Sequence, residues 1–159
     1  MNTDGTSTRT SAASLALIRR EHAGEEMFLA RWNEAWRHYF FVGGHKRPDE
    51  SSRECIVREV EEELGLRSGS GCMIADEPLA CLKFDDWSER AEAPTAYTWM
   101  VFTVELSTSN VWETVESDAQ NAWLTKQEIE ELVARDGRPV SGRIAFVLST
   151  IEGRTWLGR

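Results

Sequence analysis

Residues 44–66 read GHKRPDESSRECIVREVEEELGL, and both the fold and the chemistry turn on this stretch. From Ser51 a pattern of helical period runs to Leu64 and stops at Gly65, the residue type that most easily takes the left-handed conformation closing a helix. At about 3.6 residues per turn, Ile56, Val57, Val60 and Leu64 share one side and form a stripe to be buried. Glu59, Glu62 and Glu63 fall together beside that stripe, three and four residues apart, where like charges repel. Two readings account for them. One is a solvated face, eased by pairs such as Arg58 with Glu62 and Arg53 with nearby acids. The other is a set of hard oxygen ligands whose repulsion a divalent cation removes. The helix alone does not choose.

Working outward, residues 14–19 and 26–31 are short apolar runs joined by a turn, and 38–42 is a third run ending at Gly43-Gly44. Pro48 and Asp49 lie in a loop before the helix. Beyond it, residues 79–84 and 95–106 read as strands split by a polar connection over 85–94, and 122–124 as a short strand. Thr125, with Glu128 at the capping-box distance, starts a helix through Val133. Residues 136–139 break that pattern before a last amphipathic helix over 141–151. Residues 1–13 are rich in Thr and Ser and read as a flexible tail, leaving 14–159 as a single domain. Strands and helices mix without regular alternation, which points to an α+β sandwich with helices outside the sheet.

The chain of 159 residues carries 18 Lys+Arg against 27 Asp+Glu, a formal charge of -9, with 41% hydrophobic residues. That composition supports one soluble core without disulfide or metal staples. The chain holds no run of 18 apolar residues and no secretory h-region, so it reads as a cytoplasmic protein that uses no membrane. Cys55, Cys72 and Cys81 are odd in number and widely spaced, which suggests buried thiols. Most of the negative charge lies over 76–118, where ten acids face only Lys83 and Arg90. Such a surface repels duplex nucleic acid, whose binding depends on basic residues against phosphate. A cationic partner such as a divalent metal fits better.

The quoted stretch matches the Nudix box, G-x5-E-x7-R-E-U-x-E-E-x-G-U with U apolar, at all nine defined positions, from Gly44 through Glu50, Arg58, Glu59, Val60, Glu62, Glu63 and Gly65 to Leu66. The chain therefore resembles the Nudix hydrolase superfamily. A strand entering Gly43-Gly44 and the Trp123-Leu124-Thr125 plus helix pattern extend the likeness over about residues 14 to 152. One departure is Val42, where many members carry Pro.

The resemblance implies a Nudix-type α/β/α sandwich, a mixed sheet flanked by helices. It also implies a pyrophosphohydrolase that uses Mg2+ (or Mn2+) to cut a nucleoside diphosphate linked to another group. Carried onto this chain, Glu59, Glu62, Glu63 and the backbone carbonyl of Gly43 are the metal ligands, with Glu62 alternatively a base acting through water. Arg58 and Glu50 hold the helix and loop. Glu116, with Glu113 as fallback, is the candidate for a further glutamate from a later loop. Arg31, Arg37, Trp36, Tyr39 and His45 are candidates for substrate contact, and Trp32, Trp87, Trp99 and Tyr97 are further rings for stacking on a base. Dimers are common in the family, so a homodimer is an expectation as well. A nucleotide-binding or regulatory module without turnover is the alternative.

Substrate markers outside the box do not narrow the choice. Leu82 stands where many ADP-ribose hydrolases have Pro, and Pro78 comes too early. No tyrosine stands 17 or 18 positions past the box, where diadenosine polyphosphate hydrolases have one. The full set of box glutamates argues against the variant that attacks sugar carbon. The substrate class remains a nucleoside diphosphate derivative.

Overall fold

Strand β1, Arg9–Leu17, runs through the middle of the molecule and is buried on both faces over Ala13–Leu17, so its second half is almost wholly apolar. Ser14 is the exception; its hydroxyl donates to the carbonyl of Ser52 at 2.7 Å, which satisfies the buried group. The computed structural model describes residues 8–153. Strands β2 Arg19–His22, β3 Glu25–Asn33, β4 His38–Phe40 and β5 Gly43–His45 follow β1. Next come α1 Ser52–Leu64, β6 Cys72–Ile74, β7 Ala80–Ser88, β8 Ala93–Leu106 and α2 Ser109–Ser117. Strand β9 Asn121–Thr125, α3 Lys126–Glu131 and α4 Gly142–Glu152 complete the order.

The strands form two sheets. One runs β5-β1-β8-β6 with β7 also on β8; β1 and β8 are parallel and the other pairs antiparallel. The other runs β2-β3-β4 with β9 on β3. Alternate side chains of β1 and β3 feed two cores. Leu15, Leu17, Phe28 and Ala30 pack with Ile129 of α3 and Ile144 and Leu148 of α4. Ala16, Ile18, Met27 and Leu29 pack with Ile56 and Val60 of α1 and Val115 of α2. The result is the expected mixed sheet flanked by helices, and α1 sits against the β1–β5 edge.

Helix α1 is fixed at both ends by its own sequence. The Ser51 hydroxyl accepts from the Glu54 amide, the Glu54 carboxylate accepts from the Ser51 amide, and Gly65 closes the helix at φ 69°. Helix α3 repeats the capping box with Thr125 and Glu128 but ends sooner than expected, with Leu132 as its left-handed cap.

Three expectations are corrected. The tail over 1–13 is a strand from Arg9 onward: Arg9–Ala13 pair in register with Thr95–Trp99, and Arg9 bonds the Thr95 hydroxyl at 3.0 Å. Backbone pairing orders this polar half, and it leaves no apolar signature; residues 1–7 lie outside the described residues. The polar connection 85–94 is mostly ladder, with Asp85–Ser88 paired to Ala93–Ala96 and a turn only over 89–92. The segment 109–117, taken as part of the loop carrying Glu113 and Glu116, is helix α2, capped by Thr108 and buried chiefly through Val115.

Candidate active site

The loop from β4 into α1 is shaped by two glycines. A Cβ on Gly43, whose φ is 154°, would lie 2.2 Å from the Ser14 carbonyl oxygen, and one on Gly44 would lie 2.4 Å from Oε1 of Glu59. At Gly43 only glycine fits, because the clash is with the β1 backbone, whereas at Gly44 the Glu59 carboxylate would have to move aside. The Ala16 amide donates to Val42 O at 2.8 Å, so Leu15 opposite Gly43 is a pair without ladder bonds. The amide and carbonyl of Gly43 therefore point away from β1. The amide donates to Oε2 of Glu63 at 3.0 Å.

Arg58 ties the site together. Its Nε and Nη2 form a fork on Glu50 at 3.0 and 2.7 Å, and Nη2 also donates to the His45 carbonyl at 3.1 Å. Nη1 donates to Glu59 at 2.8 Å and to Glu62 at 3.2 Å. Hydrogen bonds from Arg58 and from the Arg47 amide hold the Glu50 carboxyl down at about 2. Glu63 is driven the other way, up to about 7. Burial is the main cause and the charges of Glu59 and Glu62 add to it, against the Gly43 amide and the Arg31 guanidinium.

The donor chemistry suits a hard divalent cation: α1 carries three carboxylates, and burial together with the Glu59 and Glu62 charges makes uncompensated negative charge costly at Glu63. The side chains are nonetheless not gathered on one point. Among the described residues no three His, Cys, Asp or Glu side chains form a metal cluster. The bonding explains this, since Arg58 holds Glu59 and Glu62 while the Gly43 amide holds Glu63. Cys55, on the same helix, donates to the Gly44 carbonyl at 3.4 Å, and burial pushes its thiol up, so it is no nucleophile.

A cleft of about 790 Å³ opens at Gly43, Gly44 and His45. Odd-numbered residues of β1 from Leu15 to Arg9 line it together with Tyr97 and Trp99 of β8. Trp36, His38 and Phe40 stand on another side, and Trp87 and Arg90 lie in the β7–β8 hairpin. Arg9, Arg90 and Arg143 line the cleft with Glu89 as its only acid among the described residues, although the chain as a whole is strongly acidic. Arg143 lies over the rings of Phe84 and Trp99, 4.9 and 5.8 Å from their centres, and pairs with Asp86.

Of the substrate candidates, Trp36 and His45 line the cleft, and His45 Nδ1 lies 3.2 Å from the Ser11 hydroxyl. Tyr39 does not. Side chains alternate along β4, so His38 and Phe40 meet the cleft while Tyr39 is buried behind them, donating to Asp136 at 2.6 Å beneath the Arg138 guanidinium. Burial, first, and the bond to Asp136 push the Tyr39 hydroxyl up to about 12. Trp32 is core, edge-on to Tyr39. Arg37 is exposed beside Glu34. Arg31 bonds Asp118 and Asn121, both at 2.9 Å, and acts on Glu63 through its charge.

Glu116 is placed elsewhere. It sits on an exposed face of α2, 3.7 Å from Arg20, and lines a separate hollow of about 370 Å³ that includes no described residue of the box. Glu113 is exposed on the same helix. The acid from this region that Arg31 holds is Asp118, at the end of α2. Asp118 was missed because the segment before β9 was read as an open loop, whereas a helix rotates successive side chains through about 100°.

The family model for the NUDIX domain matches residues 8–144, and the chain belongs to the Nudix family. Its fold is similar to that of the Ap4A hydrolase of C. elegans, with a TM-score of 0.60 and 15% identity over 91% of this chain and 97% of that one. A MutT/nudix family protein from Listeria innocua gives 0.60 and 16% over 91% and 92%. The NUDIX domain of Shewanella oneidensis NrtR, complexed with ADP ribose, gives 0.57 and 12% over 96% and 93%. No curated protein matches the chain in sequence. Among the described residues no helix is long and apolar enough to cross a membrane.

Proposed function

We propose that this protein hydrolyses a pyrophosphate bond in a nucleoside diphosphate derivative, using a divalent cation. The observation that carries the reading is the placement of Glu59 against Gly44 and of Glu63 on the Gly43 amide, two glycines that also line a cleft of arginine and aromatic rings. Glu59, Glu63 and the Gly43 carbonyl would hold Mg2+ or Mn2+. A bound ion of this kind neutralises pyrophosphate oxygens and acidifies a coordinated water.

The chain's own residues supply the rest. Arg58, anchored on Glu50, fixes the direction of Glu59 and the height of the His45 backbone. Glu62 is half-exposed and its carboxylate takes the proton from the attacking water. Arg9, Arg90 and Arg143 attract the polyanion, and Trp36, Trp87, Tyr97 and Trp99 offer faces for a base. Glu116, turned toward Arg20, is left out of this site.

A ligand-binding module without turnover is the second reading, favoured by the likeness to the NrtR domain complexed with ADP ribose. The two part on one assay. Nucleoside triphosphates, nucleotide sugars, dinucleotides and capped nucleotides are incubated with Mg2+ and with Mn2+, and phosphorylated products are followed. Metal-dependent release from at least one is expected. Binding of a ligand without release under saturating metal would favour the module.

A further inference from the structure

We propose that the hollow beside α2 is a second binding site, which takes the carboxylate of a small organic acid on Arg20 and Trp123. Such a site stands whether or not the box hydrolyses pyrophosphate. The hollow shares no lining residue with the cleft, which runs from the box at its near end to the β7–β8 hairpin at its far end.

Two buried donors in its wall have no acceptor. Among the described residues, Arg20 Nε and Trp123 Nε1 are the buried side-chain polar atoms without a hydrogen-bond partner. Burying such groups unpaired is costly, and folded proteins do it rarely. The strand registers bring the two together. Arg20 lies opposite Met27 and Trp123 opposite Leu29, two residues along β3 and therefore on one face of the sheet. Trp123 is only 7% exposed, and the Arg20 guanidinium carbon lies 4.7 Å from its ring centre. Both side chains line the hollow, so a single acid group there can accept from both.

The charges around them select the ligand. Asp136 is taken up by Tyr39 and Arg138, and Glu128 by the amides of Thr125 and Arg135. The acid paired with Arg20 is Glu116, which stands at 3.7 Å, beyond hydrogen-bond length, and is 58% exposed. A guanidinium with donors to spare is a fork for the two oxygens of a carboxylate. The three acids in the wall repel a second negative charge, which disfavours a phosphate dianion. A volume of about 370 Å³, with Met27, Ala122 and Ala134 in the wall, accommodates an apolar body behind the carboxylate.

The indole N–H of Trp123 is the reporter. Its signal, assigned through the backbone in proton–nitrogen correlation spectra, is followed in mildly alkaline buffer as sodium benzoate, acetate or phosphate is added at constant ionic strength. A saturable shift with benzoate and acetate is expected, with phosphate binding more weakly. Arg20→Gln should weaken benzoate binding at least about tenfold, whereas Glu116→Gln, which removes the competing acid from an exposed position, should strengthen it. No carboxylate-dependent shift at Trp123, equal affinity in Arg20→Gln, or phosphate binding tighter than both carboxylates overturns the proposal. Melting curves check the fold of each variant. If Arg20→Gln does not fold, Glu116→Gln decides: tighter benzoate binding supports the site, and unchanged or weaker binding overturns it.

Discussion

The two ends of the cleft are built differently. At the near end the charged side chains are bound to one another: Arg58 serves Glu50, Glu59 and Glu62, Glu63 is held by the Gly43 amide, and Gly43 leaves no room for a Cβ against the β1 backbone. At the far end Trp87 stands half in solvent on a hairpin turn, and Arg9 is tied only by a bond to a threonine among the described residues. The cross-bonding at the near end is what a site that places oxygen atoms for metal chemistry needs. The far end lacks a network of this kind among the described residues, so its side chains can change without disturbing the fold.

The sharpest way to break the comparison is Gly43→Ala. The added Cβ meets a backbone carbonyl at 2.2 Å in a conformation alanine avoids, so stability should fall by well over about 1 kcal/mol, with activity lost as β5 shifts. Urea unfolding and turnover on the same preparation check both parts. Next comes Arg58→Ala, which leaves Glu50 without its fork and frees Glu59 and Glu62. A lower unfolding midpoint and a fall in kcat that Arg58→Lys only partly restores are expected, because lysine has no bidentate geometry.

A smaller effect is read in pH. The folded protein holds Glu50 at about 2, below its ordinary value near 4.5, so the stabilisation is full above 4.5 and is lost as pH falls toward 2. Glu50→Gln should flatten this part of the stability curve, measured as unfolding midpoints between pH 5 and pH 2; an unchanged curve would count against the fork as its cause. The smallest effect belongs to the far end. Trp87→Ala should alter stability by no more than about 0.5 kcal/mol, as expected of an exposed side chain away from the core.

The same contrast explains what could be read from the sequence. The box was legible because helix ends and ligand chemistry each demand particular residue types: Ser51 with Glu54, Gly65, and carboxylates at helical spacing. The layered architecture followed from apolar runs such as residues 14–19 and 26–31. Tyr39 was misread because it was taken with the neighbouring tryptophans in sequence rather than by alternation along β4, which turns it away from the cleft. The polar half of β1 could not be read at all, since its order comes from pairing with β8. Glu116 was chosen by its distance from Trp123 along the chain, and α2 carries it toward Arg20 instead. The cleft's far wall escaped notice for a similar reason: Arg9 and Arg90 are 81 positions apart and meet only through the register of β1 and β8.

The central claim is that the near-end carboxylates perform metal-dependent hydrolysis. Its most direct test is the turnover of Glu62→Gln and Glu63→Gln on a substrate the wild type cleaves, at saturating Mg2+. A loss of about 10²- to 10⁴-fold is expected for each, with the melting temperature in metal-free buffer preserved. Turnover equal to wild type in both variants would contradict it.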